Sequence, residues 1–179
     1  CSVKSRYDVA QLLVSHMQNG SATIIHWASA SGRTKIVKNS LERCESNNVI
    51  DLLRRPDTGG RTAIMLAAAN GHKQTLSSMI SVAERKAKER EALLQLLNVC
   101  DSNGNTAIHW SIVNGHLEIV KLLVSKGASP WVKNKRGRCA FMTALSSSSD
   151  NQVEILKYLH RLAKAARKDP MSDVDISGW

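Results

Sequence analysis

The chain repeats itself. Three segments start on threonine and run through an apolar stretch to a glycine nine residues on: "TIIHWASASGRTKIV" from Thr23, "TAIMLAAANGHKQTL" from Thr62 and "TAIHWSIVNGHLEIV" from Thr106. A fourth, "CAFMTALSSSSDNQVEIL", starts on Cys139 and lacks that glycine. Two positions ahead of the threonine-equivalent stand Gly60, Gly104 and Gly137, with Ser21 in the first copy, and three ahead of those glycines stand Asp57, Asp101 and Asn134. A period of this kind constrains the fold more than any single side chain does. Each copy is one supersecondary unit that cannot bury its apolar face alone, so neighbouring copies must stack into a continuous core.

Within a copy the pattern is helical. "TAIHWSIVN" and "TAIMLAAAN" are short, Ala-rich apolar runs suited to an inner helix covered on both sides. Gly71 and Gly115 mark the turn that follows. In "HLEIVKLLVSKG", Leu117, Ile119, Val120, Leu122, Leu123 and Val124 form a broad apolar stripe, Glu118 and Lys121 lie outside it, and Gly127 stands where a helix stops.

The segment "DSNGNTAIHWSIVNGHLEIVKLLVSKGAS" closely resembles the ankyrin repeat, a β-turn finger followed by two antiparallel helices. The resemblance extends over most of residues 7–165 and implies an all-α ankyrin-repeat solenoid. It places one domain at 1–168, with a partial helix at 5–18, repeats at about 18–56, 57–100, 101–133 and 134–168, and a tail at 169–179. The chain departs from the family in having Ile24, Ala63, Ala107 and Ala140 where proline normally presets the first helical turn. In the fourth copy "SSSSDN" widens the turn between helices by about three residues.

Spacing is the larger departure. Thr23 to Thr62 is 39 positions, Thr62 to Thr106 is 44 and Thr106 to Cys139 is 33, so the first two copies carry extra residues after the outer helix. Both extensions end alike, in "VIDLLRRPDTGG" and "LLQLLNVCDSNG". The strong helix formers of "AERKAKEREA" would allow one helix from about 73 to 97. At 1.5 Å per residue it would be ~37 Å long and overshoot the next finger. A bend or a second short helix is therefore expected near 84–88, in a feature projecting from one edge of the stack.

No chemistry of catalysis emerges. There is no Gly-rich phosphate loop, HExxH, GxSxG or paired-carboxylate constellation. His26 and His109 stand three after the repeat threonine, with Met65 and Met142 in the other copies. The resemblance makes these histidines structural, tying down the backbone of the turn and the adjacent finger, and gives His72 and His116 a similar framework role. Trp27 and Trp110 are expected to pack between inner and outer helices, with a two-tryptophan recognition patch as the alternative. Cys1, Cys44, Cys100 and Cys139 lack the close pairs of a zinc site and read as free thiols in a reducing compartment. No enzyme, metal or cofactor is expected. No apolar run approaches the roughly 18 residues needed to span a bilayer.

Function then moves to the positions that the pattern leaves free. The resemblance places partner contacts at finger tips and exposed inner-helix positions: Arg61, Ala69, Asn70, Ser102, Asn103, Asn105, Val113, Asn114, Lys135, Arg136 and Arg138, with Asn19, Gly20 and Ala22 on the first finger. "KNKRGR" (133–138) puts four cations on one finger, and Lys157, Arg161, Lys164, Arg167 and Lys168 form a second basic run. With a net charge of +10, these favour an acidic partner. The expected function is a non-catalytic protein-interaction scaffold, in the cytoplasm or nucleus, holding an acidic segment or docking into a larger assembly. The alternatives are a nucleic-acid or ribonucleoprotein-contacting module and an accessory domain of a larger enzyme. Ser146 to Ser149 read as a flexible surface open to phosphorylation.

Overall fold

A computed structural model describes residues 24–44, 48–87 and 89–166. The expected helix at 5–18, the first finger tip and the tail at 169–179 lie outside the described residues. The described chain is helical throughout, with turns between: α1 (Ile24–Ala30), α2 (Thr34–Arg43), α3 (Asn48–Arg54), α4 (Ala63–Ala69), α5 (Lys73–Lys86), α6 (Arg90–Leu97), α7 (Ala107–Val113), α8 (Leu117–Ser125), α9 (Ala140–Leu145) and α10 (Gln152–Ala165).

Inner helices α1, α4, α7 and α9 stack side by side, and outer helices α2 and α5 pack behind them. Alanine and isoleucine make this possible. Ala28, Ala63, Ala67, Ala68, Ala107, Ile108 and Ile112 are fully buried, and their small or compact side chains let the inner helices approach closely. The outer helices contribute Val37, Leu41, Leu76, Met79, Ile80, Ile119, Val120 and Leu123.

The histidines fasten this stack. His26 Nε2 donates to the Arg55 carbonyl (2.8 Å) and His109 Nε2 to the Arg138 carbonyl (3.0 Å), each linking an inner helix to the next finger. His72 Nε2 donates to the Ala30 carbonyl (2.9 Å) and His116 Nε2 to the Ala69 carbonyl (3.1 Å), each linking an outer helix to the preceding turn. Gly71 sits under the His116 ring at φ +77°, where a Cβ would come within 2.8 Å of the imidazole; only glycine takes both that conformation and that closeness. In the last copy Asn151 takes over, its Nδ2 donating to the Gly115 carbonyl (2.9 Å).

The extensions do not project. Instead each forms a third helix, and α3 packs on α6. Val49 and Leu53 from α3, and Leu93, Leu96 and Leu97 from α6, are buried in the common core. The paired leucines are the cause: an extension held out in water would expose them, and their burial draws it in. The break expected near 84–88 falls at Lys86, where Ala87 turns extended (φ −69°, ψ 127°), and α6 is the second short helix. Lys86 Nζ donates to the carbonyls of Leu41, Glu42 and Cys44, and so places a cation at the C-terminal end of α2.

Candidate partner-binding cleft

The fingers are built by one recurring device. Asp57 Oδ1 accepts from the Gly59 and Arg61 amides (2.9 and 2.8 Å), Asp101 Oδ1 from the Asn103 and Asn105 amides (both 2.8 Å), and Asn134 Oδ1 from the Arg136 and Arg138 amides (both 3.0 Å). A short side-chain oxygen thus substitutes for a backbone partner and sets each turn. Burial alone would raise the Asp57 pKa, but the bonds from Arg61 and Gly59, with the Arg61 charge, hold it below the usual carboxylate value.

Neighbouring fingers then abut. The Lys135 amide donates to the Asn103 carbonyl (3.0 Å), and Asn134 Nδ2 donates to Asn105 Oδ1 (2.8 Å). Fingers three and four therefore form one wall, with α7 and α9 as the floor. Between them lies a cleft of about 550 Å³. It brings together Asn103, Asn105, Val113, Lys135, Arg136 and Arg138, six of the positions expected from the sequence. Lys135, Arg136 and Arg138 are exposed, and none of them pairs with a carboxylate among the described residues. Val113, 51% exposed, offers an apolar contact beside them.

The other expected positions fall elsewhere. Ser102 is exposed on its finger, with its amide turned to the Gly59 carbonyl (3.4 Å). Arg61 binds back on its own finger, with Nε and Nη2 on Asp57 Oδ2 at 3.0 and 2.9 Å. Ala69 supplies the carbonyl that His116 grips. Asn70 and Asn114 close the ends of α4 and α7, their Nδ2 atoms donating to the Leu66 and Trp110 carbonyls (2.9 and 3.0 Å).

The cleft also takes in residues that the sequence reading assigned to other roles or left out. Thr143, Ser146, Ser147 and Ser148 line it beside His109 and Trp110. A signal was present: Ser146 and Ser147 stand seven and eight residues after Cys139, as Val113 and Asn114 stand after Thr106.

The tryptophans need correcting. Neither is sandwiched between inner and outer helices. Trp27 is 49% exposed, while Trp110 packs against the edge of the core and its Nε1 donates to Asp101 Oδ2 (3.0 Å). At about 100° per residue, the position after the repeat histidine falls on the helix flank, and Ile25, Ala28, Ile108 and Ile112 already fill the interior. His109, by contrast, is held as framework. Its Nδ1 accepts from the Thr106 amide (3.1 Å) and lies 3.0 Å from the Thr106 hydroxyl. Burial lowers its pKa, outweighing the opposing pull of the Arg138 carbonyl and the Asp101 charge. The imidazole is thus a neutral strut in the floor. Among the described residues no cluster of His, Cys, Asp and Glu could hold a metal ion, and no helix is long and apolar enough to cross a membrane.

Known proteins share this fold. The family described as ankyrin repeats (3 copies) matches residues 25–134 and 78–170. The chain is similar to a chain in the crystal structure of the yeast ribosomal protein Rps3 in complex with its chaperone Yar1. The two are 29% identical with a TM-score of 0.69, over 77% of this chain and 89% of that one. No curated protein matches the sequence.

Proposed function

We propose, given that this chain belongs to the ankyrin repeat family, that it is a non-catalytic interaction scaffold which grips an acidic segment of a protein partner in the cleft between its third and fourth fingers. One observation carries the reading: three cations without carboxylate partners among the described residues converge with asparagine and serine donors on a rigid concave wall. The stacked backbone fixes where these guanidinium and ammonium groups are anchored, and such groups bind carboxylates by charge-assisted hydrogen bonds. A partner that belongs to a larger assembly fits as well, since the similar structure is that of a ribosomal protein in complex with its chaperone. An intracellular setting belongs to the same proposal and is supported by Cys44, Cys100 and Cys139 standing as free thiols.

The net charge of +10 also favours a second reading, contact with nucleic acid. Against it, the indole lining the cleft is bound to Asp101 and set into the core edge rather than free to stack on a base. The test is fluorescence anisotropy at low salt, with a labelled ten-residue polyglutamate peptide and a labelled oligonucleotide. The peptide binds, and the combined Lys135→Glu, Arg136→Glu and Arg138→Glu variant weakens it at least about tenfold. Unchanged peptide binding by that variant rejects the cleft. An oligonucleotide preferred over the peptide at equal charge supports the second reading.

A further inference from the structure

The turn between α9 and α10 is widened by serines, and that widening faces the cationic wall. Ser146, Ser147 and Ser148 line the cleft opposite Lys135, Arg136 and Arg138, and Arg138 Nη1 already donates to Ser146 Oγ (3.2 Å). The four hydroxyls of the turn differ in what holds them. Ser146 Oγ donates to the Thr143 carbonyl (3.1 Å) and Ser147 Oγ to the Ala144 carbonyl (3.0 Å). Ser149 Oγ is buried. Ser148 is exposed, lies outside any helix, and its hydroxyl has no hydrogen-bond partner among the described residues. It combines access for a modifying enzyme with a position inside the cleft.

We propose that Ser148 is a phosphorylation site whose phosphate seats against Lys135, Arg136 and Arg138 and competes there with the acidic segment. This rests on the reading of the cleft given above. In the modification, Ser148 Oγ attacks the γ-phosphorus of a nucleoside triphosphate held by a protein kinase. The Oγ–P bond forms as the bond to the β–γ bridging oxygen breaks, the hydroxyl proton passes to the kinase's base, and nucleoside diphosphate leaves. The product carries close to two negative charges at neutral pH. These meet three cations, with the neutral His109 in the floor and Asp150 as the one carboxylate in the turn itself. An attached phosphate has a far higher effective concentration at the cleft than a free peptide.

The experiment installs phosphoserine at position 148 by genetic-code expansion. Two readouts separate this inference from the binding reading. In anisotropy with the labelled polyglutamate peptide, phosphorylation weakens binding at least about tenfold. In phosphorus NMR, the phosphoserine titrates below its ordinary second pKa of about 6, and moves back toward it in the combined Lys135→Gln, Arg136→Gln and Arg138→Gln variant. A phosphate that titrates as in an unstructured peptide overturns the proposal, as does peptide binding indifferent to phosphorylation. If the unmodified chain fails to bind the peptide, the acidic-segment reading falls, while a lowered titration still supports the phosphate seat. Phosphopeptide mapping of the protein from its native cells finds Ser148 modified; phosphate on the neighbouring serines alone overturns the assignment.

Discussion

Asp57, Asp101 and Asn134 stand at one repeat position, and their differences are informative. All three set a finger by accepting two backbone amides, a task that an amide oxygen performs as well as a carboxylate. They differ at the second oxygen. In Asp57 it holds Arg61, a side chain exposed enough to swing into water. In Asp101 it holds the indole N–H of the half-buried Trp110. Asp57→Asn should therefore cost under about 1 kcal/mol, the value of an exposed ion pair. Asp101→Asn should cost about 1–3 kcal/mol, because its new NH2 would face the indole N–H and leave a donor unpaired. Urea unfolding checks both, and equal costs would show that the indole bond carries no weight. At this scale the sequence was informative through its resemblance to the ankyrin repeat: the spacing from acid or amide to glycine to threonine carried that resemblance, which implied the fingers and made the Thr-x-x-His histidines struts. What it did not show was the second partner of each acid, because Arg61 and Trp110 reach their acids only once the finger has closed.

At the scale of elements, the extensions matter most. The sequence showed where the extra residues lie and that each extension ends in paired leucines. The reading that the longer one projects from an edge of the stack was wrong, because those leucines are buried in the common core. The structure puts α3 against α6, with Arg54 Nη2 donating to Gln95 Oε1 (2.8 Å) across the exposed side of that contact. Leu53→Ala and Leu97→Ala should each destabilise by about 2–5 kcal/mol, as for other fully buried leucines. Leu145→Ala, at an exposed site, should change stability by less than about 0.5 kcal/mol. Chemical denaturation measures all three, and a loss near zero at Leu53 would mean that the third helices add nothing to the core. Where the third copy has no such helix, the chain closes the gap with backbone. Ser129 donates its amide to Asn98 Oδ1 (2.8 Å), and Gly127, at φ +98°, lies where a Cβ would run into the Leu94 side chain.

For the whole molecule, stability is a sum over neighbours, so position in the stack sets local stability. Helices α4 and α7 are covered on both sides, by α1 and α7 and by α4 and α9 respectively. Finger four has an open face, since among the described residues nothing comes within 4 Å of a Cβ added at Gly137. Its helix α9 starts on Cys139, which makes no side-chain cap bond, where Thr62 accepts from the Met65 amide (3.4 Å). Native-state hydrogen exchange should find the amides of α9 and α10 opening at a lower free energy than those of α4 and α7. Equal protection across the four would indicate a single cooperative unit. This matters for the cleft, because its floor joins the firm α7 to the softer α9.

The sequence by itself determined the repeat, its register and the basic run at 133–138, because spacing and charge are what a sequence states directly; the finger turns and the histidine struts were implied by the resemblance to the ankyrin repeat. Only the tertiary structure decided three things. It folded the extensions into the stack instead of letting them project, because burying Leu93, Leu96 and Leu97 against α3 takes their apolar surface out of water. It turned the tryptophans out of the core, because alanine and isoleucine had already filled it. And it gathered asparagines and cations from two fingers and serines from the turn after α9 into one cleft, because proximity between copies is set by stacking and not by distance along the chain.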